Sequence, residues 1–378
     1  MSEEHTVTPL RVAVIGGGIA GAGAAFYLAE RAEVVLLEAE PTLAYHTTGR
    51  SAALLFESYG SPGIRPLTSA SRAFFDDPPP GLADFPFLSP RGGMLVGTEQ
   101  QIGALEQWEA DARRQGAWVE LLDTDQARRI CPALRPDMLA GAVWEPGAAD
   151  IDVAAVHQAF VRGARRRGAE IRVSSPVTAM EKTDGGWRLW AGDEALTAQV
   201  VVNAAGAWGD EIARMAGLDP MGITPMRRTV FMAPGSDEYR SWPLVAGVGM
   251  GWYFKPDGIQ LLCSLSEENP SAPCDARPEP LDIALAIERI NHATTLRIRS
   301  VRSSWTGLRT FARDREMVIG FDPRAEGFFW LVGQGGTGIQ TSPAAGELTA
   351  SLVLDSEVST RLIDHGFDAA VVSPGRFL

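Results

Sequence analysis

Gly16, Gly18 and Gly21 fall in the spacing G-x-G-x-x-G directly after an apolar run, Val12–Ile15. A second apolar run, Val34–Leu37, closes on an acid, Glu38, 17 residues after Gly21. In this order the residues can grip a dinucleotide. The first glycine permits a tight turn, the second lets backbone approach a pyrophosphate, and the third lets a helix pack closely on a strand. The alanine-rich helix that opens there, running to about Arg31 through Ala20, offers phosphate its unpaired N–H groups and the positive end of its dipole. Glu38, followed by Ala39, can accept both hydroxyls of an adenosine ribose. FAD and NAD both carry that ribose, so the remainder of the chain must separate them.

Two later stretches favour FAD. The apolar run Gln199–Asn203 ends in Ala-Ala-Gly-Ala-Trp, which brings bare backbone at Gly206 and the Trp208 ring up to something bulky. GQGGTGIQTS, from Gly333, leads a glycine-rich loop into a long small-residue helix. A helix N-terminus with exposed amides stabilises the negative charge that a flavin gains near N1 and C2=O on reduction.

These residues need a parallel sheet to hold them, and the chain has material for one. Its 378 residues, 45% hydrophobic, suffice for two or three domains. Val12–Ile15 and Val34–Leu37 read as buried parallel strands, and Asp152 as the N-cap of an amphipathic helix through about Arg167, in which His157 is a packing residue. Short strands follow at Glu170–Val173, Val177–Lys182, Trp187–Trp190 and Ala195–Asn203, with hairpin turns at Gly185-Gly186 and Gly192-Asp193. Polar turn residues after Glu38 lead into a small-residue helix start and then a mixed apolar segment. Proline-rich Asp76–Pro90 reads as a boundary or surface loop, Met94–Val96 as a strand and Glu99–Gly116 as a solvated helix. Residues 220–310 read as β-rich with one helix, Leu281–His292.

Composition excludes several functions. The formal charge of −13 repels nucleic acid and anionic membrane surfaces alike. Only two residues, Lys182 and Lys255, are lysines, so arginine is the default cation. The five histidines and the scattered Cys131, Cys263 and Cys274 show no metal-ligand spacing, so no metal is expected, and the cysteines fit reduced thiols of a cytoplasmic protein. The polar start of the chain has no signal-peptide core, and no run is long enough for membrane insertion.

Taken in order, GGGIAG…VVLLE, YHTTGRSAA, VVNAAGAW, WYFKPDG, WTGLRTF and QGGTGIQTS resemble the D-amino-acid and glycine oxidase family of FAD enzymes over almost the whole chain. YHTTGRSAA and SRAFFDDPPPG are most similar to the family's bacterial D-arginine dehydrogenases. The resemblance implies an α/β fold, α+β overall: a discontinuous Rossmann-like FAD-binding domain (1–60, 150–215 and 305–378) and a β-rich substrate domain (61–149 and 216–304). It implies noncovalent FAD held by the first glycine loop, Glu38, the turn Thr47, Thr48, Gly49, Arg50, Ser51, Ala52 and Ala53, the backbone at Val177, and the loop Gly336, Thr337, Gly338, Ile339 and Gln340. His46 is the one nearby candidate for a covalent link.

The same resemblance carries the substrate-carboxylate ligands onto Arg228 or its neighbour Arg227 and onto Arg309, and the pocket tyrosines onto Tyr59 and Tyr253; Gln340 is placed to bond flavin or substrate. A planar guanidinium fixes a carboxylate through two hydrogen bonds, and a tyrosine hydroxyl adds one without charge. An amino acid held so presents its α-hydrogen for hydride transfer to flavin N5, giving a 2-oxo acid and ammonia.

The sequence departs from the D-arginine dehydrogenases where specificity is set. Gly93 stands where they place an acid for the substrate guanidinium, and Leu54 and Phe56 replace a histidine and a threonine. A cationic substrate without a counter-charge is disfavoured, so a neutral or apolar D-amino acid is expected unless Glu57 swings in to restore the charge. Neither lysine stands at an obvious oxygen site, which favours a dehydrogenase with a quinone-type acceptor over reduction of O2. N-methyl or secondary amino acids and 2-hydroxy acids are the alternative substrates. A flavoprotein without activity and an NAD enzyme are the remaining readings. No oligomeric partner is assigned.

Overall fold

The computed structural model describes residues 9–378, so His5 and the polar start of the chain lie outside the described residues. Strand β1 (Arg11–Ile15), helix α1 (Ile19–Leu28) and strand β2 (Glu33–Leu37) form where the apolar runs and glycines predict them. β1 lies inside a six-stranded sheet ordered Val318–Phe321, Phe328–Val332, Val200–Asn203, β1, β2, Glu170–Arg172. All neighbours are parallel except the first pair.

Both faces of this sheet are covered. Val12, Val14, Val34 and Leu36 pack beneath α1 and the helices Val153–Arg166 and Ser342–Leu354. Ala13, Ile15, Val35 and Leu37 pack against a three-stranded antiparallel sheet of Val177–Thr183, Gly186–Ala191 and Glu194–Ala198. Strands buried on two faces read as continuous apolar runs, which is why these were legible. α1 crosses the helix Ser342–Leu354 at two glycines: a Cβ on Gly346 would stand 2.9 Å from the Gly23 carbonyl. Asp152 caps its helix as expected, accepting from the Ala155 N–H at 2.9 Å.

A nine-stranded, mostly antiparallel sheet forms the other large layer, built from residues 93–97, 120–122, 141–145, 224–270 and 303–311. The helix Arg65–Asp76, which the sequence did not announce, packs its Leu67, Ala70 and Phe75 into the cluster beneath α1.

Two expected elements differ. Ala195–Asn203 is two strands, not one. Gln199 breaks the run: its amide donates to Arg11 O and its Oε1 accepts from the Arg11 N–H. Glu194–Ala198 therefore edges the small sheet, while Val200–Asn203 enters the parallel one. The small-residue helix start after Glu38 is instead a single 3-10 turn, Thr48–Arg50, followed by a two-residue strand, Leu54–Leu55. There the backbone is drawn to other elements: the Arg50 carbonyl accepts from Trp305 Nε1 at 3.3 Å, and the Ala53 carbonyl from the Ile151 N–H at 3.2 Å.

Candidate active site

The glycine turn opens one end of a cavity of about 490 Å³. Gly16 takes φ +109°, and a Cβ there would stand 2.5 Å from Ala204 O. A Cβ on Gly21 would collide with Gly16 O, so its role is helix packing and it does not line the cavity. Gly18 does line it, with Ala20, Glu38 and Ala39. The turn is fixed by side chains. Glu38 Oε2 accepts from Gly17 N–H at 2.7 Å and Oε1 from Glu40 N–H at 2.8 Å. His157, expected only to pack, donates from Nε2 to Gly17 O at 2.9 Å. Burial lowers the pKa of its ring, which keeps the imidazole neutral. Thr48 Oγ1 accepts from Ile19 N–H at 3.0 Å, the first amide of α1.

Thr47, Thr48, Ser51, Ala52, Val177, Gly206, Trp208, Gly336, Gly338, Ile339 and Gln340 continue the lining. Gly49, Arg50 and Thr337, predicted with them, stand behind it. A Cβ on Gly49 would sit 2.5 Å from Ala44 O. Arg50 pairs with Asp275 at 2.5 Å and donates to Thr306 O. Thr337 donates its hydroxyl to Gln334 O, closing the loop. His46 lines the cavity, hydrogen-bonded to Glu40 at 2.9 Å and tilted against the Trp208 ring at 4.6 Å.

One face of the nine-stranded sheet furnishes the far end. Strand register aligns Arg228 with Gly307, and Val230 with Ser264 and then Tyr253. Side chains two apart share a face, so Arg228, Arg309 and Tyr253 project together. Gly307 makes room: a Cβ there would stand 2.9 Å from Arg309 Nη1.

The two arginines differ in their partners. Arg228 donates to Glu268 Oε1 at 3.0 Å and to Glu267 O at 3.1 Å. Among the described residues Arg309, 6% exposed, has no carboxylate within pairing distance; Nη2 reaches only Arg50 O at 3.5 Å, and Nη1 has no hydrogen-bond partner. Burial first, and then the charge of Arg228, hold its pKa below the ordinary arginine value. An uncompensated buried guanidinium facing a cavity is a receptor for an anion. Arg227 points elsewhere, to Glu279 at 2.6 Å and Asp282 at 3.2 Å, so Arg228 is the member of the pair that lines the cavity.

Tyr59 and Tyr253 both line this end. Burial raises the Tyr253 phenol, which therefore stays protonated as a hydrogen-bond donor. A Cβ on Gly336 would stand 2.5 Å from the Tyr59 hydroxyl, which accounts for glycine there. Gln340 is a tether rather than a free ligand. Its oxygen accepts from Phe56 N–H at 3.1 Å, and its nitrogen donates to Thr68 Oγ1 at 3.1 Å and Tyr59 O at 3.4 Å.

Leu54 and Phe56 line the wall, joined by Leu244 and Met250, which sequence reasoning missed. They reach the site through sheet register and a left-handed turn (Met250 φ +56°), neither of which leaves a motif. Gly93 lies beneath Phe56, outside the lining. Glu57 is held away by Arg72 at 2.7 Å and Ser69 at 3.1 Å. The acids on the lining, Glu38, Glu40 and Glu211, belong to β2, the loop after it and the helix Gly209–Met215, not to the sheet that carries the arginines. Lys255 is bound to Asp150 at 2.5 Å, with Arg91 on the other oxygen at 2.7 Å. Among the described residues no His, Cys, Asp and Glu gather as a metal site, and no helix is long and apolar enough to cross a membrane.

A dinucleotide cradle joined to a buried anion receptor defines a flavin oxidoreductase. The FAD dependent oxidoreductase (DAO) family model matches residues 11–352, and the chain belongs to that family. It is 26% identical to glycine oxidase of Geobacillus kaustophilus, over 92% of this chain and 94% of that protein. It is also 26% identical to rat mitochondrial dimethylglycine dehydrogenase, over 54% of this chain but only 24% of that longer protein. The crystal structure of the Geobacillus glycine oxidase superposes with a TM-score of 0.84, covering 96% of this chain and 98% of that one at 25% identity. The protein is thus an FAD-dependent oxidoreductase. The cradle fits that cofactor, with Gly16 and Gly18 leaving backbone bare beside Glu38.

Proposed function

We propose that the protein oxidises the amino group of neutral or apolar D-amino acids, yielding a 2-oxo acid and ammonia, as a dehydrogenase serving a quinone-type acceptor. The observation that carries the reading is Arg309: a buried cation with an unpartnered Nη1 on the cavity. A substrate carboxylate supplies the missing counter-charge through paired hydrogen bonds. Tyr253 and Tyr59 add donors, and Arg228, already neutralised by Glu268, adds direction more than net charge. FAD, when bound, accepts the hydride from the α-carbon. The chain's own part is to orient the carboxylate, to exclude water behind Phe56, Leu54, Leu244 and Met250, and to present no acid that would hold a cationic side chain.

The same reading divides the chain at the boundaries given above except for Arg65–Asp76, which by its packing joins the FAD domain and not the substrate domain, and puts the chain in the cytoplasm, a reading its three free thiols support. Lys255, held by Asp150, supports an acceptor other than O2.

A second reading has its own support. Since no carboxylate lines this end of the cavity to receive an ammonium, an N-methylated or secondary amine fits as well, and dimethylglycine dehydrogenase is a relative. A panel of amino acids with anaerobic flavin bleaching separates the two: ammonia marks primary amines and formaldehyde marks N-methyl groups. A kcat/KM for D-Arg or D-Lys above that for D-Leu, D-Met or D-Phe overturns the neutral-substrate reading, and peroxide formed under air at the dye-coupled rate overturns the acceptor.

A further inference from the structure

The four residues Phe56 to Tyr59 carry two side chains into the arginine end of the cavity, yet none of their amides belongs to a helix or sheet. Phe56 N–H donates to Gln340, and Tyr59 N–H to Phe56 O at 3.0 Å, closing the turn. The two amides between them, of Glu57 and Ser58, donate to one carboxyl group. Glu145 Oε1 accepts the first at 2.7 Å and Oε2 the second at 3.2 Å. Glu145 ends the strand Gly141–Glu145, is 3% exposed, and makes no ion pair among the described residues. A buried acid kept without a counter-ion is expensive as mere packing.

The geometry points to Glu145 as a positioning residue for the proposed reaction: seated on the amides of Glu57 and Ser58, it fixes the turn that holds Tyr59 against Gly336 and Phe56 over Gly93. The assignment rests on the substrate site described above. Other charged groups around it are already engaged. Glu57 binds Arg72. Arg65, from the helix Arg65–Asp76, donates to Gly60 O and Gln115, and feels Asp111 of the helix Ile102–Arg114 as well as Glu145.

Burial raises the Glu145 carboxyl to about 7, against the lowering effect of the Ser58 and Glu57 hydrogen bonds. A turn that swings out would return this group to water and to an ordinary acidic pKa. The closed turn is therefore the form that keeps the proton, and opening becomes easier as the pH rises from the ordinary carboxylate range to about 7, levelling off above it.

Amide hydrogen exchange on the FAD-loaded protein tests this, with rates corrected for the intrinsic effect of pH. Protection at Glu57 and Ser58 is expected to fall by roughly 10–100-fold between about pH 5 and about pH 8 in the wild type, and to lose that pH dependence in Glu145→Gln. The matching decline in kcat/KM over that range should vanish in Glu145→Gln, and the substitution should cost far less in a Tyr59→Phe background. Flat wild-type protection, an unchanged fall in Glu145→Gln, or fully additive losses with Tyr59→Phe would overturn the proposal. If Glu145→Gln does not fold, the wild-type exchange profile decides. If no amino acid is oxidised while the protection still switches, the functional reading fails and the clamp stands.

Discussion

The ring of Phe56 lies directly on Gly93: a Cβ at residue 93 would meet its Cε2 and Cζ at 3.1 Å. The two positions form one unit: a side chain at residue 93 must displace the aromatic ring at residue 56. Gly93→Glu alone should therefore fail to confer D-arginine oxidation, and should lower the unfolding free energy by about 1–3 kcal/mol through overpacking. Adding Phe56→Thr should recover stability and raise kcat/KM for D-Arg. Thermal melts and steady-state rates on the two variants check both parts.

Removing Arg309 should have opposite effects on activity and stability. Arg309→Met deletes a buried charge with no partner, so the ligand-free protein should gain about 1–4 kcal/mol and melt at a higher temperature. Its kcat/KM should fall by roughly 10³ or more, the loss expected for two charge-assisted hydrogen bonds. Arg309→Lys should restore little, because one ammonium cannot replace the planar fork. A lower melting temperature for Arg309→Met would show that the charge is compensated.

His157→Phe should loosen FAD without abolishing folding. The Gly17 carbonyl would keep only the Ala44 N–H at 3.1 Å, and a lost buried hydrogen bond of about 1 kcal/mol corresponds to a dissociation constant several-fold higher. Flavin fluorescence on dilution measures the release directly.

Glu145 should leave its mark on stability as a function of pH. The folded protein holds its proton up to about 7, whereas the unfolded chain releases it near 4.5. The contribution is therefore full below about pH 4.5 and lost as the pH rises through about 7, amounting to about 3 kcal/mol. Urea unfolding across that range should show a shallower decline in Glu145→Gln than in the wild type.

The parallel half of the fold was legible because its strands are buried twice over and so read as solid apolar runs: Val12–Ile15 and Val34–Leu37 were found to within a residue, and Val200–Asn203 as the end of the longer run Ala195–Asn203. The cradle was legible because Gly16, Gly18 and Gly21 each answer a local steric demand. What stayed hidden depends on pairing between remote strands. Leu244 reaches the wall through register with Gly93, far away in the chain, and Met250 through a left-handed turn. Gln340 was expected to bond flavin or substrate; it lines the cavity, but its amide is taken by Phe56 and Thr68, which no local pattern announces. The choice between Arg227 and Arg228 is a matter of strand alternation, fixed once Arg228 stands opposite Gly307.

The way β1 is flanked has a consequence for biogenesis. One neighbour, β2, emerges at once, but the other comes from residues 200–203, and the glycine of α1 at residue 23 seats against Gly346. Such remote closure makes folding slow and leaves sheet margins open in the meantime. A nascent chain released before the helix Ser342–Leu354 should therefore carry an unpacked α1, and a ribosome stalled short of Gly346 should hold a polypeptide still prey to proteases.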